Sequence, residues 1–96
     1  MVVIIHREAR REIEDTVAYY DDRAPGLGEE FLREFTAATD LILSSTEIGI
    51  SVRSRVRRLV MKRFPYSLLY HPMDEGIRIL AVMHHKRRPG YWEDRS

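Results

Sequence analysis

The fold is decided by "VRRLVMKRFPYSLLYHPMDEGIRILAVMH" (residues 56–84), which holds three segments rich in branched and aromatic residues. This composition is typical of β-strands. The predicted strands are residues 56–64, 66–71 and 77–84. Pro65 cannot donate a ladder hydrogen bond, so it marks a turn or an edge, and "PMDEG" (72–76) marks a second turn. Connections this short join antiparallel neighbours, so the stretch predicts consecutive antiparallel strands.

Two amphipathic helices are predicted upstream of these strands. Apolar residues recur there every three or four positions, as one buried helix face requires. In the first helix they are Ala9, Ile13, Val17 and Tyr20, and in the second Leu27, Phe31, Phe35, Ala38 and Ile42. Glu12 falls on the opposite, polar face of the first helix. The short connection around Pro25 and Gly26 predicts a helical hairpin.

The N-terminal run "VVII" (residues 2–5) is continuously β-branched and predicts a buried strand. In the last strand, alternation puts Ile77, Ile79, Ala81 and Met83 on the face toward the helices. The predicted class is α+β in the order β-α-α-β-β-β, one domain over residues 1–96. The helical hairpin packs on one face of a mostly antiparallel four-stranded sheet, with a short C-terminal tail. No predicted element covers the opposite face of the sheet.

Composition excludes several classes of protein. The chain has no cysteine, so neither a disulfide framework nor a thiolate metal site is expected. No signal peptide or membrane span is apparent, so a cytoplasmic protein is expected. The net charge of +1 hides an asymmetry, because residues 1–50 carry −6 and residues 51–96 carry +7. Such a split predicts one electropositive surface for a partner, or a solvated face balanced by acidic helices.

The stretch "MHHKRRPGYW" (residues 83–92) holds the remaining candidates for chemistry. His84 and His85 are adjacent on a strand and point to opposite faces, so a shared metal ion is not expected. His84 could transfer protons or bond the backbone. The cations that follow could hold phosphate or carboxylate groups, or form a solvated tail. Tyr91 and Trp92 could stack on bases, although packing of the chain end is the commoner outcome.

Three stretches together resemble the RelE/ParE toxin superfamily over nearly the whole chain. They are "AYYDDRAPGLGEEFLREF" (18–35), "VRRLVMKRFPYSLLYH" (56–71) and "ILAVMHHKRRPGYW" (79–92). The branch that they resemble is the ParE-like plasmid-stabilisation proteins. This resemblance implies the toxin of a type II toxin–antitoxin pair, without a cofactor, neutralised by an acidic or amphipathic antitoxin segment. Operator DNA is then bound only through the antitoxin.

The resemblance implies two possible targets. ParE-like members poison DNA gyrase, while RelE-like members cut messenger RNA on the ribosome. A ribonuclease needs proton-transfer groups and cations on the phosphate; the candidates are Arg63, His84, Arg87 and Tyr91. For binding a target or an antitoxin, the candidates are Arg57, Arg58, Lys62, Arg63, Arg87 and Arg88. No base lies between Phe35 and Val52, unlike in RelE-like nucleases, which favours the ParE-like reading. A third possibility is a non-toxic family member that persists as a binding module.

Overall fold

The computed structural model describes residues 1–95. Along the chain lie strand β1 (Val2–Ile5), helices α1 (Arg7–Arg23) and α2 (Leu27–Ser44), and strands β2 (Ile50–Arg53), β3 (Val56–Val60), β4 (Tyr66–Met73) and β5 (Gly76–His84). The sheet order is β1-β5-β4-β3-β2. Strand β1 pairs with β5 in parallel, and the other three pairings are antiparallel. The α+β class and the helical hairpin on a mostly antiparallel sheet are confirmed.

The sheet has five strands, not the predicted four, because β2 was missed. Its residues alternate apolar and polar over only four positions, and all four are exposed, so the strand signal is short and no buried face supports it. Its pairing with β3 is also irregular between Ser51 and Arg53. Strand β2 is therefore held by its hydrogen bonds to β3 rather than by burial of its side chains.

The main core lies between the helical hairpin and one face of the sheet, here called the helix side. Both predicted helix faces are confirmed, since Ala9, Ile13, Phe31, Phe35 and Ile42 are buried there. Phe31 is fully buried, and its ring lies 5.3 Å from the ring of Phe64. Aromatic pairs in such edge-to-face geometry stabilise by about 0.5–1.5 kcal/mol beyond their buried area.

Strand β1 corrects the expectation of a buried N-terminal strand. Val2, Val3 and Ile4 remain 44%, 38% and 39% exposed. The strand lies at the edge of the sheet with β5 as its one neighbour, so both of its faces are only partly covered. Its β-branched composition reflects strand propensity rather than burial.

The predicted face assignment of β5 is right for Ile77 and Ile79 but wrong for Ala81 and Met83. The register between β4 and β5 shifts where Leu69 faces Ala81 and Tyr70 faces Ile79. A β-bulge adds a residue to one strand and so inverts the alternation beyond it. Ala81 and Met83 consequently point to the opposite side of the sheet, here called the far face.

The far face is partly covered, contrary to the expectation from sequence. Residues beyond β5 fold back, and Trp92, only 7% exposed, packs in a second apolar cluster with Leu69, Leu80, Ala81 and Met83. Tyr91 lies against the same cluster. The predicted packing of these two aromatic residues is confirmed.

Candidate functional site

A groove of about 540 Å³ lies between α2 and the end of β3 and is called the α2 groove. Its apolar lining comes from Ala37, Ala38, Leu41, Leu59, Val60 and Met61. Leu41 and Val60 stay 45% and 49% exposed. Charged side chains stand at its rim: Glu30, Arg33, Glu34, Lys62 and Arg63. An exposed apolar floor with a charged rim is the usual form of a surface that binds a partner.

Arg63 is anchored at the rim of the α2 groove. Its Nη2 lies 2.6 Å from Glu30 Oε1, and its backbone N–H donates to Glu34 at 2.9 Å. The hydrogen bond to Glu30, with the charge of that carboxylate, raises the pKa of Arg63. Its guanidinium also lies 5.5 Å from the centre of the Phe64 ring. These contacts tie the β3–β4 turn to α2.

Arg57 holds the loop between α2 and β2. Its Nη1 donates to the carbonyl oxygens of Gly49 at 2.7 Å and Glu47 at 3.1 Å. Tyr70, directly opposite on β4, donates to the Thr46 carbonyl at 2.8 Å. Burial raises the pKa of the Tyr70 hydroxyl, which therefore remains a donor at neutral pH. The contacts of Arg57 are those of a structural clasp, and its role in binding stays a prediction.

Three polar side chains form a cluster across the far face: Arg58 of β3, Ser67 of β4 and His85 just beyond β5. The fully buried Ser67 hydroxyl lies 3.0 Å from Arg58 Nε and 3.0 Å from His85 Nε2. We call this group the far-face cluster. Arg58 was a binding candidate from the sequence, whereas Ser67 and His85 were not. Only the registers of β3, β4 and β5 bring these two residues next to Arg58.

His84, Arg87 and Tyr91 line a pocket of about 160 Å³ on the helix side of the sheet end. The His84 ring packs edge-on against Tyr66 at 4.9 Å, and its Nδ1 accepts the backbone N–H of Lys86 at 3.0 Å. Arg87 stacks over the Tyr91 ring at 3.8 Å. The two histidines therefore point to opposite faces, as predicted. Arg63 does not line this pocket.

The tail is fastened by a polar network that we call the tail lock. Glu12 receives hydrogen bonds from the Tyr91 hydroxyl at 2.5 Å, from both Arg95 Nη atoms at 3.0 Å, and from the Val82 backbone N–H at 2.9 Å. Arg95 also donates to the Leu80 carbonyl at 3.0 Å. Glu12 and Arg95 thus provide hydrogen-bond partners for the backbone of Val82 and Leu80 at the edge of β5, beyond the last residue that pairs with β1. Glu12 was assigned from sequence to a solvated face, which is wrong because the returning tail covers it.

The tail lock determines the protonation of Tyr91. Burial, and then the hydrogen bond and charge of Glu12, raise the pKa of its hydroxyl far above the ordinary value. Burial alone would lower the pKa of Arg95, but Glu12 reverses this effect and raises it. Tyr91 therefore remains a neutral donor whose proton is directed at a carboxylate, which suits a structural role better than proton transfer.

Neither a metal site nor a membrane-spanning helix is found in the described residues. In residues 1–95, no group of three or more His, Cys, Asp or Glu side chains is placed to hold a metal ion. Neither of the helices in this part of the chain has the length and apolarity needed to cross a bilayer.

Comparison with known proteins identifies relatives. The family model for the ParE toxin of the type II toxin–antitoxin system parDE matches residues 3–89. A solved structure described as a chromosomal ParDE TA system from P. aeruginosa is similar, with a TM-score of 0.74 and 18% identity over 88% of this chain and 95% of that chain. At that identity the likeness concerns the fold. Among curated proteins, no match is found.

Proposed function

The chain belongs to the ParE toxin family, and from this premise we propose that it arrests growth by binding DNA gyrase and is neutralised by a cognate antitoxin. The observation that carries the proposal is the presence of two distinct surfaces for macromolecules. One is the α2 groove, and the other is the set of cations on and beside the far face. Each has chemistry suited to one of these partners.

The α2 groove suits the antitoxin. Its floor offers six apolar residues to one face of an amphipathic segment, and its rim carries charges of both signs. Lys62 at that rim forms no ion pair within residues 1–95 and fits a segment with acidic residues, and such a segment would order on binding. The P. aeruginosa structure is described as a ParDE system, which supports a partner of the antitoxin type.

The second set of cations suits the cellular target, with Arg58 on the far face, Arg87 over the Tyr91 ring and Arg88 next to it in the chain. Within the described chain, Arg58, Arg87 and Arg88 have no ion pair, whereas Arg53, Arg63 and Arg95 each contact a carboxylate. Cations that form no ion pair within the chain are available to the acidic groups of a binding protein. Such groups mainly increase the rate and specificity of association.

The first experiment is a supercoiling assay with purified chain and purified gyrase. We expect the chain to inhibit supercoiling, and we expect a purified cognate antitoxin to abolish the inhibition. Unchanged supercoiling at saturating concentrations of folded chain would contradict gyrase as the target.

Replacing Arg58, Arg87 and Arg88 together by Gln is expected to weaken gyrase inhibition by about a thousandfold. Three charge-assisted contacts, each worth about 1.5 kcal/mol, are then lost. The measurement is the concentration that gives half inhibition. Arg7, Arg10 and Arg11, all exposed on α1, replaced together by Gln provide a control with the same change in charge. Equal inhibition by the two triple variants would show that Arg58, Arg87 and Arg88 do not contribute to gyrase binding.

A second candidate function is ribosome-dependent cleavage of messenger RNA. One observation favours it, since His84, Arg87 and Tyr91 share a pocket. Against it, Arg63 is bound to α2 carboxylates and the Tyr91 hydroxyl to Glu12. We therefore expect no cleavage of messenger RNA when the chain is added to a translating extract. Codon-positioned cleavage that is lost in His84→Ala and in Arg63→Ala would establish the ribonuclease instead.

A further inference from the structure

We propose that the far-face cluster of Arg58, Ser67 and His85 is a binding site for a phosphate group of a nucleic-acid backbone. The site is separate from the α2 groove but shares Arg58 with the cations proposed to contact gyrase, and it contacts nucleic acid without reading its sequence. Recognition of operator DNA remains the expected task of the antitoxin.

The geometry of the cluster directs hydrogen-bond donors outward. Arg58 Nε is always protonated, so the Ser67 oxygen accepts from it. Ser67 can then give its own proton to His85 Nε2, which places the imidazole proton on Nδ1, away from the cluster. Ser67 thus fixes the orientation of the Arg58 guanidinium and of the His85 ring, while the Nη groups of Arg58 and the Nδ1–H of His85 stay free as donors.

The remaining donors of Arg58 are available to a ligand. Among residues 1–95, only the Nε of this guanidinium has a hydrogen-bond acceptor, so both Nη groups are unused. Arg58 is half-buried and His85 is exposed. The guanidinium fork of Arg58 matches the acceptor oxygens of a phosphate, and the Nδ1–H of His85, on the side of the ring away from Ser67, can donate to a neighbouring oxygen of the same strand. Because Ser67 is fully buried, it positions these groups and is not a nucleophile.

The surroundings of the cluster favour a polyanion over a single carboxylate. His85 is followed directly by Lys86, Arg87 and Arg88, none of which forms an ion pair within the described residues. The adjoining cleft of about 200 Å³ also contains Glu93, but Arg53 pairs with that carboxylate at 3.2 Å. Cations therefore continue along the chain from His85, with Arg87 turned toward the Tyr91 ring.

The test is binding of a short, labelled DNA strand to the full chain, measured by fluorescence anisotropy at several salt concentrations. We expect Arg58→Gln to weaken binding about tenfold, as expected for a charge-assisted hydrogen bond. It should also reduce the slope of log affinity against log salt by about one. Arg11→Gln on the exposed face of α1 is the charge-matched control and should leave the slope unchanged.

Two further variants separate binding from folding. His85→Gln changes an exposed side chain and should weaken DNA binding at an unchanged melting temperature. Ser67→Ala retains the Arg58 and His85 side chains but frees their orientation, so it should weaken binding less than Arg58→Gln. The proposal is overturned if the wild type does not bind the strand, or if Arg58→Gln and Arg11→Gln bind it equally. It is also overturned if an acidic peptide depends on Arg58 more than the DNA strand does. None of these readouts requires gyrase, so they are independent of the proposed toxin activity.

Discussion

Replacing Glu12 by Ala is expected to lower the free energy of unfolding by about 3–5 kcal/mol, because it leaves Arg95 as an unpaired charge in a confined site. The side chains of Glu12 and Arg95 are only 15% and 12% exposed. The substitution also removes the acceptor of the Val82 backbone N–H and of the Tyr91 hydroxyl. Chemical denaturation followed by circular dichroism measures the loss.

The matched control is Glu14→Ala, since Glu14 is an exposed acid on the same helix. It is expected to change stability by less than about 0.5 kcal/mol. In Glu12→Ala, Trp92 fluorescence should also shift toward that of a solvated indole, because the lock no longer holds the tail over Leu69 and Met83. Equal stabilities for the two variants would show that the tail lock does not hold the tail.

Replacing Gly76 by Ala is expected to destabilise the fold by about 3–4 kcal/mol, through strain at a special backbone position. Gly76 opens β5 at φ +154°, which side chains disfavour, and it lies opposite Val2 of β1. A Cβ there would lie 1.8 Å from the Val2 carbonyl oxygen and 2.6 Å from the Val2 nitrogen. Because both atoms belong to the backbone, β1 itself must move away.

Gly26→Ala isolates the effect of this clash. Gly26 lies in the helix–helix turn at φ +87°, with nothing within 4 Å of a Cβ, so only left-handed strain of about 1–2 kcal/mol is expected. Hydrogen exchange should show that Gly76→Ala exposes the amides of β1 while Gly26→Ala leaves them protected. A Gly76→Ala protein as stable as Gly26→Ala, with β1 amides still protected, would contradict the close approach of β1 and β5.

Much of the architecture could be predicted from the sequence because its signals are periodic. The apolar faces of α1 and α2 follow from spacings of three and four, and the three central strands follow from their composition and from the turns at Pro65 and Gly76. Residue spacing and residue type within one segment are sufficient to predict such features. The exposed edge strand β2 and the exposed faces of β1 were not predictable in this way, because edges are defined by which neighbours are missing.

The candidate site was predictable in its charge but not in its arrangement. The cations of 53–63 and 86–88 are visible in the sequence, yet the structure distributes them over a loop clasp at Arg57, the α2 groove at Arg63 and the far face at Arg58. A single bulge in β5 reverses the directions of Ala81 and Met83, and no residue type announces it. Glu12 and Arg95 are distant in sequence and ordinary in composition, so their pairing appears only once the tail has folded back.

The central claim is that this chain is a ParE-family toxin that acts on gyrase, and induced expression of the chain alone tests it most directly. Colony formation, nucleoid morphology and messenger RNA integrity are measured in the same culture. The account predicts growth arrest with filamentous cells and damaged chromosomes while messenger RNA stays intact. Rapid codon-positioned cleavage of messenger RNA, or continued growth in the presence of soluble, folded chain, would contradict it.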